Sequence, residues 1–291
     1  MKKRLVHLVA YPAFFNAAFI ALFFLLFPYD ALKDRLQSEA RKQGIELTID
    51  AIGPVLFGIE AQGVELHLFK SAAGKALPAP VRIQSLKLLP HLFPMGAHIS
   101  AQVLGGQLDA SIQATQPKRL KLRAAGLQLM HLPPEALGNL VLDGELSLLA
   151  DLSLDEQDFA KTEGRLALLG TQMLLRRGSI QGFTLPRVDL GRIELDLDLA
   201  EGKTLLKTAR ITGVDIVTEL NGDIRQARKL APSTLNVGLR FQPSQDFLSR
   251  NPLITAALSM AAKKAHDGFY EAALKGSLGS PSFQKRTPGG R

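Results

Sequence analysis

The sequence predicts a mainly β protein: an N-terminal transmembrane helix, then a large, curved, mostly antiparallel β-sheet or sandwich with two or three helices. Three observations lead there. Leu5 to Phe27 is a 23-residue run without a charged side chain, directly preceded by Lys2, Lys3 and Arg4. Beyond it, segment after segment alternates apolar and polar residues with a period of two, the pattern of strands with one buried face. Glycine- and asparagine-containing turn signals separate these segments.

The run of 23 residues reaches roughly 34 Å as a helix at about 1.5 Å per residue, enough for the ~30 Å hydrocarbon core of a bilayer. Basic residues stay on the cytoplasmic side. Residues 1–28 are therefore expected to form a cytoplasmic tip and single-pass anchor in the cell inner membrane. The bulk of the chain then lies in the periplasm of a Gram-negative cell. A cleaved signal peptide shares the basic start, but its apolar core is only about 7–15 residues and a small-residue cleavage site follows. Here Phe27-Pro28-Tyr29-Asp30 follows, which favours an anchor that is kept.

Residues 29–44 read as a linker helix. Asp30 can cap it, Leu32, Leu36 and Ala40 recur every four residues, and Gly44 suits its end. Residues 45–283 read as one periplasmic β domain and 284–291 as a disordered tail. The longest alternation runs from Leu140 to Asp155, with Leu142, Leu146, Leu148, Ala150 and Leu152 set against Asp143, Glu145, Ser147, Asp151 and Ser153. Unbroken, this strand would measure about 50 Å at ~3.3 Å per residue, so Gly144 or Ala150 is expected to bend it. The pattern recurs at Leu108–Ile112, Ile193–Leu199, Val214–Ile224 and Leu235–Phe241. Turns are expected at Leu104–Gln107, Glu201–Lys203 and Asn221–Asp223, and a loop from Ser71 to Pro80. A second helix is expected from Pro252 to about His266. Asn251 would be its N-cap, and Lys263, Lys264 and His266 would occupy its last turn. Pro133 to Leu140 reads as one further helical turn.

Composition narrows the function. The chain has no cysteine, which excludes disulfides, thiolate metal sites and thiol nucleophiles and is compatible with export. The net charge is +8, and basic residues gather at Lys118–Arg123, at Arg176-Arg177 and from Arg225 to Lys229. These are expected on solvated loops and edge strands, with anionic lipid head groups as the alternative. Nucleic acid is not expected as a partner: beyond Pro28 there are nine Phe, two Tyr and no Trp, scattered singly. The six histidines form no zinc-ligand pair, and His91 and His98 flank a proline-containing turn. Glu194, Asp196 and Asp198 resemble a metal cluster on paper. Alternation instead places them along one solvated strand face, within reach of Lys or Arg on adjacent strands. No catalytic, cofactor or metal residues are assigned, and no enzyme is expected.

The one-sided strands pose the central question. A long strand with seven or eight apolar side chains gains more than ~10 kcal/mol by burying them, and two or three helices cannot cover ten or so strands. Either the sheet closes as a sandwich, or its apolar face forms a groove that receives lipid chains. Leu146, Leu148, Leu195, Leu197, Val237 and Leu239 are the candidate lining of such a groove.

The C-terminal run Ala273-Leu274-Lys275-Gly276-Ser277-Leu278-Gly279-Ser280-Pro281-Ser282-Phe283 resembles a strand-end pattern of the general secretion pathway protein N family of type II secretion systems and of AsmA-like proteins. The succession Phe57-Gly58-Ile59, Val64-Glu65-Leu66, Val81–Leu88 and Leu104–Ile112 is similar to the N-terminal β-region of AsmA-like proteins. The resemblance covers the chain in outline and brings no catalytic residues. It implies an inner-membrane-anchored, periplasmic, non-enzymatic accessory component of type II secretion. Its partners would be other secretion subunits, and its sheet would be related to those of lipid-transfer proteins. Phospholipid acyl chains are the expected ligand of the alternative reading.

Overall fold

The computed structural model describes residues 26–42, 45–68, 80–92, 95–133, 137, 140–155, 157–180, 183–261 and 263–285, together with Phe15 and Leu22. Most of the expected anchor, residues 71–79 of the expected loop and the last six residues lie outside them. Among the described residues no helix is long and apolar enough to cross a membrane.

The chain opens with helix α1 (Tyr29–Lys42), close to the expected linker helix. An antiparallel meander follows: β1 (Ile45–Val55), β2 (Gly58–Leu68), β3 (Val81–Leu92), β4 (Met95–Val103), β5 (Gly106–Gln113), β6 (Lys118–Gln128), β7 (Val141–Leu154) and β8 (Glu163–Ile180). The short β9 (Phe183–Leu185) pairs only with the end of β8. The meander resumes with β10 (Val188–Ala200), β11 (Lys203–Thr212), β12 (Ile216–Arg225) and β13 (Thr234–Pro243). Helices α2 (Gln245–Arg250) and α3 (Pro252–Ala261) interrupt it, and β14 (Lys263–Lys264), β15 (Tyr270–Ser277) and β16 (Ser280–Lys285) complete it. Each strand pairs with its neighbour in sequence, giving one large open antiparallel sheet in place of two packed layers.

Local chemistry explains the joints. Leu104-Gly105 and Glu201-Gly202 both have positive φ at each residue, the two-residue hairpin geometry that matches strand twist. At Gly144 the β7–β8 register slips, φ is +126°, and an added Cβ would stand 2.7 Å from Met173 Sδ. The expected bend in β7 is therefore a glycine bulge.

Several expectations are corrected. Asn221-Gly222-Asp223 is no turn. It runs inside β12 with Gly222 opposite Val237, because continuous pairing from Leu220–Leu239 to Ile224–Leu235 outweighs the local turn signal. Val214 lies in the β11–β12 connection and is exposed, and the strand begins at Ile216. Helix α3 stops at Ala261. Lys263 and Lys264 pair instead with Glu271 and Tyr270, and Lys264 Nζ stands 5.8 Å from the Tyr270 ring centroid. Asn251 turns its side-chain amide back to the Phe247 carbonyl of α2, 2.9 Å away, while its own carbonyl accepts the first bonds of α3. The expected helical turn at Pro133–Leu140 falls mostly outside the described residues, and a 3₁₀ turn is found at Leu129–His131. Strand β16 carries order to Lys285, two residues past the expected end of the domain.

Candidate functional site on the open sheet

In an antiparallel ladder, directly opposed residues share a face. Leu148 faces Leu168, which faces Leu195, while Leu197 lies between Leu166 and Leu206. Leu220 faces Leu239, and Gly222 faces Val237. Leu146, Leu148, Leu195, Leu197, Val237 and Leu239 therefore all stand on one face. They do not converge on a pocket but spread across it from β7 to β13. Leu108, Ala110 and Ile112 of β5 and Leu120, Leu122 and Ala124 of β6 continue the same surface.

Burial along this face changes from strand to strand. On β5, β6 and β7 its fully buried members are Ala110, Ala124 and Ala150. Leu108, Leu120, Leu122, Leu146, Leu148 and Leu152 are half-buried, and Ile112 is 37% exposed. An alanine is shaded by taller neighbours within the sheet. Toward β10 and β13 the same face also buries larger side chains, Leu199, Leu235 and the candidate Val237, so the leucines of β5, β6 and β7 mark its less covered part.

The ends of the face differ. Across β1–β3, Ile49, Ala61 and Val64 form a small core with Leu47, Ile52, Ile83 and Leu86. At the α2–α3 end, Phe247 packs on Leu175 and Val188, joined by Leu142, Leu190 and Ile254. The helix pair is fastened by a buried carboxylate. Asp215 accepts from the Asp189 backbone N–H at 2.8 Å and from Arg250 Nη2 at 2.7 Å, and its carbonyl accepts from the Ser244 N–H at 2.8 Å. Ser244 Oγ in turn caps α2 by accepting from the Phe247 N–H. Sequence reasoning missed Asp215, whose neighbours in the fold are distant in the chain.

The opposite face carries the charges, several of them in pairs. Glu194, Asp196 and Asp198 line it as expected and bind Arg192 at 2.6 Å, Arg165 at 2.6 Å and Lys207 at 2.7 Å respectively. The Arg165–Asp196 pair is bidentate. The Arg165 hydrogen bonds hold the Asp196 carboxyl below the usual carboxylate range, against a smaller desolvation effect. The basic run of β6 lies mid-sheet and not at an edge, with Lys121 3.6 Å from Asp151. His98 lies within β4, 3.8 Å from Asp109, and His91 within β3. A concavity of about 500 Å³ opens on this face over Leu149 and Ala167, edged by Asp109, Lys121, Arg123, Asp151 and Arg165. Of these, Lys121 pairs with Asp151 and Arg165 with Asp196. Among the described residues no group of three or more His, Asp or Glu is placed to hold a metal ion.

No family model, curated protein or solved structure matches the chain. The functional reading rests on geometry and on the sequence resemblance.

Proposed function

We propose that this is a single-pass inner-membrane protein whose periplasmic sheet binds lipid acyl chains along its apolar face, without enzymatic chemistry. The half-exposure of the leucines on β5, β6 and β7 carries this reading. A face of this composition loses stability in water, and a flexible hydrocarbon chain is the simplest mobile cover for it. Each buried methylene is worth about 0.8 kcal/mol, so ten give on the order of 8 kcal/mol before ordering costs. The paired charges of the other face suit a surface turned to water.

The test is capture in the full-length protein, extracted in mild detergent. Photo-crosslinking residues at Leu146, Leu195 and Leu239 are expected to trap phospholipid, and those at Glu145 and Asp196 are not. Equal capture from both faces, or none from either, rejects the reading. For orientation, a reporter active only in the periplasm and fused after Arg291 is expected to be active. Activity of a cytoplasm-only reporter at that site rejects the topology.

A second reading, accessory component of type II secretion, is favoured by the β15–β16 hairpin. Its turn Leu278-Gly279 sits within the stretch that resembles the secretion family, and the Leu278 N–H binds the Ser233 carbonyl at 2.7 Å. Crosslinks from surface positions of that hairpin to other secretion subunits, with no lipid captured from the apolar face, would decide for it.

A further inference from the structure

The turn between β1 and β2 is Leu56-Phe57. Turn tips are normally built from Gly, Pro, Asn, Asp and Ser, yet here Leu56 is 81% and Phe57 71% exposed. Phe57 also sits at φ +62°, a left-handed conformation that a bulky side chain rarely adopts and that costs energy to hold. At the next tip on the same end of the meander, Met95, the first residue of β4, is 70% exposed. Farther along that end, Thr115-Gln116-Pro117 and Glu201-Gly202 are polar, the β7–β8 connection carries the exposed Gln157, and the β12–β13 connection exposes Leu230, 52%.

Leu56-Phe57 and Met95 stand beside the start of the chain, whereas Leu230 stands on the far strands of the sheet. Helix α1 packs on β1, and Lys33 Nζ, near its beginning, donates to the Asp50 carbonyl at 3.2 Å. The helix therefore folds back along β1, so that its first turn points toward the β1–β2 tip. Directly before it stand Phe27, with its ring 5.1 Å from that of Tyr29, and the uncharged run Leu5–Phe27. Tyrosine at such a junction matches the aromatic belt of a membrane–water interface.

We infer that Leu56, Phe57 and Met95 form a second membrane contact, inserting into the bilayer leaflet from which α1 emerges. This contact would seat the first edge of the sheet on the lipid surface. It rests on the anchored reading above and adds to it. One helix leaves a domain free to swivel, whereas a second point of insertion fixes its tilt and brings the β1–β4 end of the apolar face to the leaflet.

The chain has no tryptophan, so a single introduced one reports its own surroundings. Full-length F57W, M95W, Q157W and F15W variants are reconstituted into phosphatidylethanolamine–phosphatidylglycerol vesicles, with and without brominated acyl chains. F57W and M95W are expected to emit at shorter wavelength than Q157W and to lose intensity with brominated lipid, while Q157W does neither. Phe57 and Met95 are exposed, so these replacements leave the fold intact. F57W and M95W emission like that of Q157W overturns the inference. If F15W is quenched in the same experiment, the anchor stands and only the tips are rejected. If F15W also escapes quenching, the anchored reading falls and this inference with it. A tip that stays in water until a secretion subunit is added marks a protein-docking site and likewise overturns the membrane assignment.

Discussion

Asp215 shows how a single residue positions a whole end of the molecule. Its carboxylate joins the start of β10 to the end of α2, through the Asp189 N–H and Arg250. Truncating a buried acceptor leaves donors unpaired, a loss of about 1–3 kcal/mol. Asp215→Ala is thus expected to lower the unfolding free energy from urea titration by that amount, and Arg250→Ala, at an exposed side chain, by less. Equal losses would mean that the ion pair rather than the backbone acceptor carries the joint. Asp196 offers a pH test. Its folded pKa lies below the unfolded value, so its stabilisation is present above the ordinary carboxylate range and is lost as pH falls through the folded value. Asp196→Asn is expected to lower stability near neutrality by a small amount, since Arg165 is exposed and well screened, and to leave it unchanged below the folded pKa, which flattens that part of the acid-unfolding profile. Asp215 was not legible in the sequence because its partners stand 26 and 35 residues away. The pairing of Asp196 was, because alternation alone assigns its face and its basic neighbours stand on adjacent strands.

At the scale of the element, β7 separates what period-two patterning can reveal from what it cannot. Its alternation and its break at Gly144 follow from residue type. Whether the even face meets a second sheet or nothing does not, because both arrangements demand the same alternation. Asn221-Gly222-Asp223 shows the converse: a strong turn signal loses when the residues on both sides keep their partners in β13. For β7 this yields a graded prediction. Leu146 is half-buried, so Leu146→Asp forfeits only part of the ~1.5–3 kcal/mol of a fully buried leucine. It should cost about 1–2 kcal/mol in denaturant titration and sharply reduce the co-purifying lipid. Ser147→Asp, on the charged face, should change neither. A loss of several kcal/mol from Leu146→Asp would instead reveal a covered core.

At the scale of the molecule, openness has a thermodynamic signature. Strand contacts run almost entirely between neighbours in sequence, so stability is transmitted along the sheet strand by strand, as in a repeat protein. A closed sandwich would share one core and lose it in a single step. The longest ladder, β7–β8, lies mid-sheet, while β16 at one edge has six residues. Amide hydrogen exchange of the full-length protein is therefore expected to show graded protection, highest across β7, β8 and β10 and falling toward β1 and β16. Filling the apolar face with lipid should raise protection most on β5, β6 and β7, where the leucines are half-exposed. Uniform protection that collapses in one cooperative transition would contradict the open sheet, and a lipid-induced gain confined to the charged face would contradict the assignment of the apolar face as the binding surface.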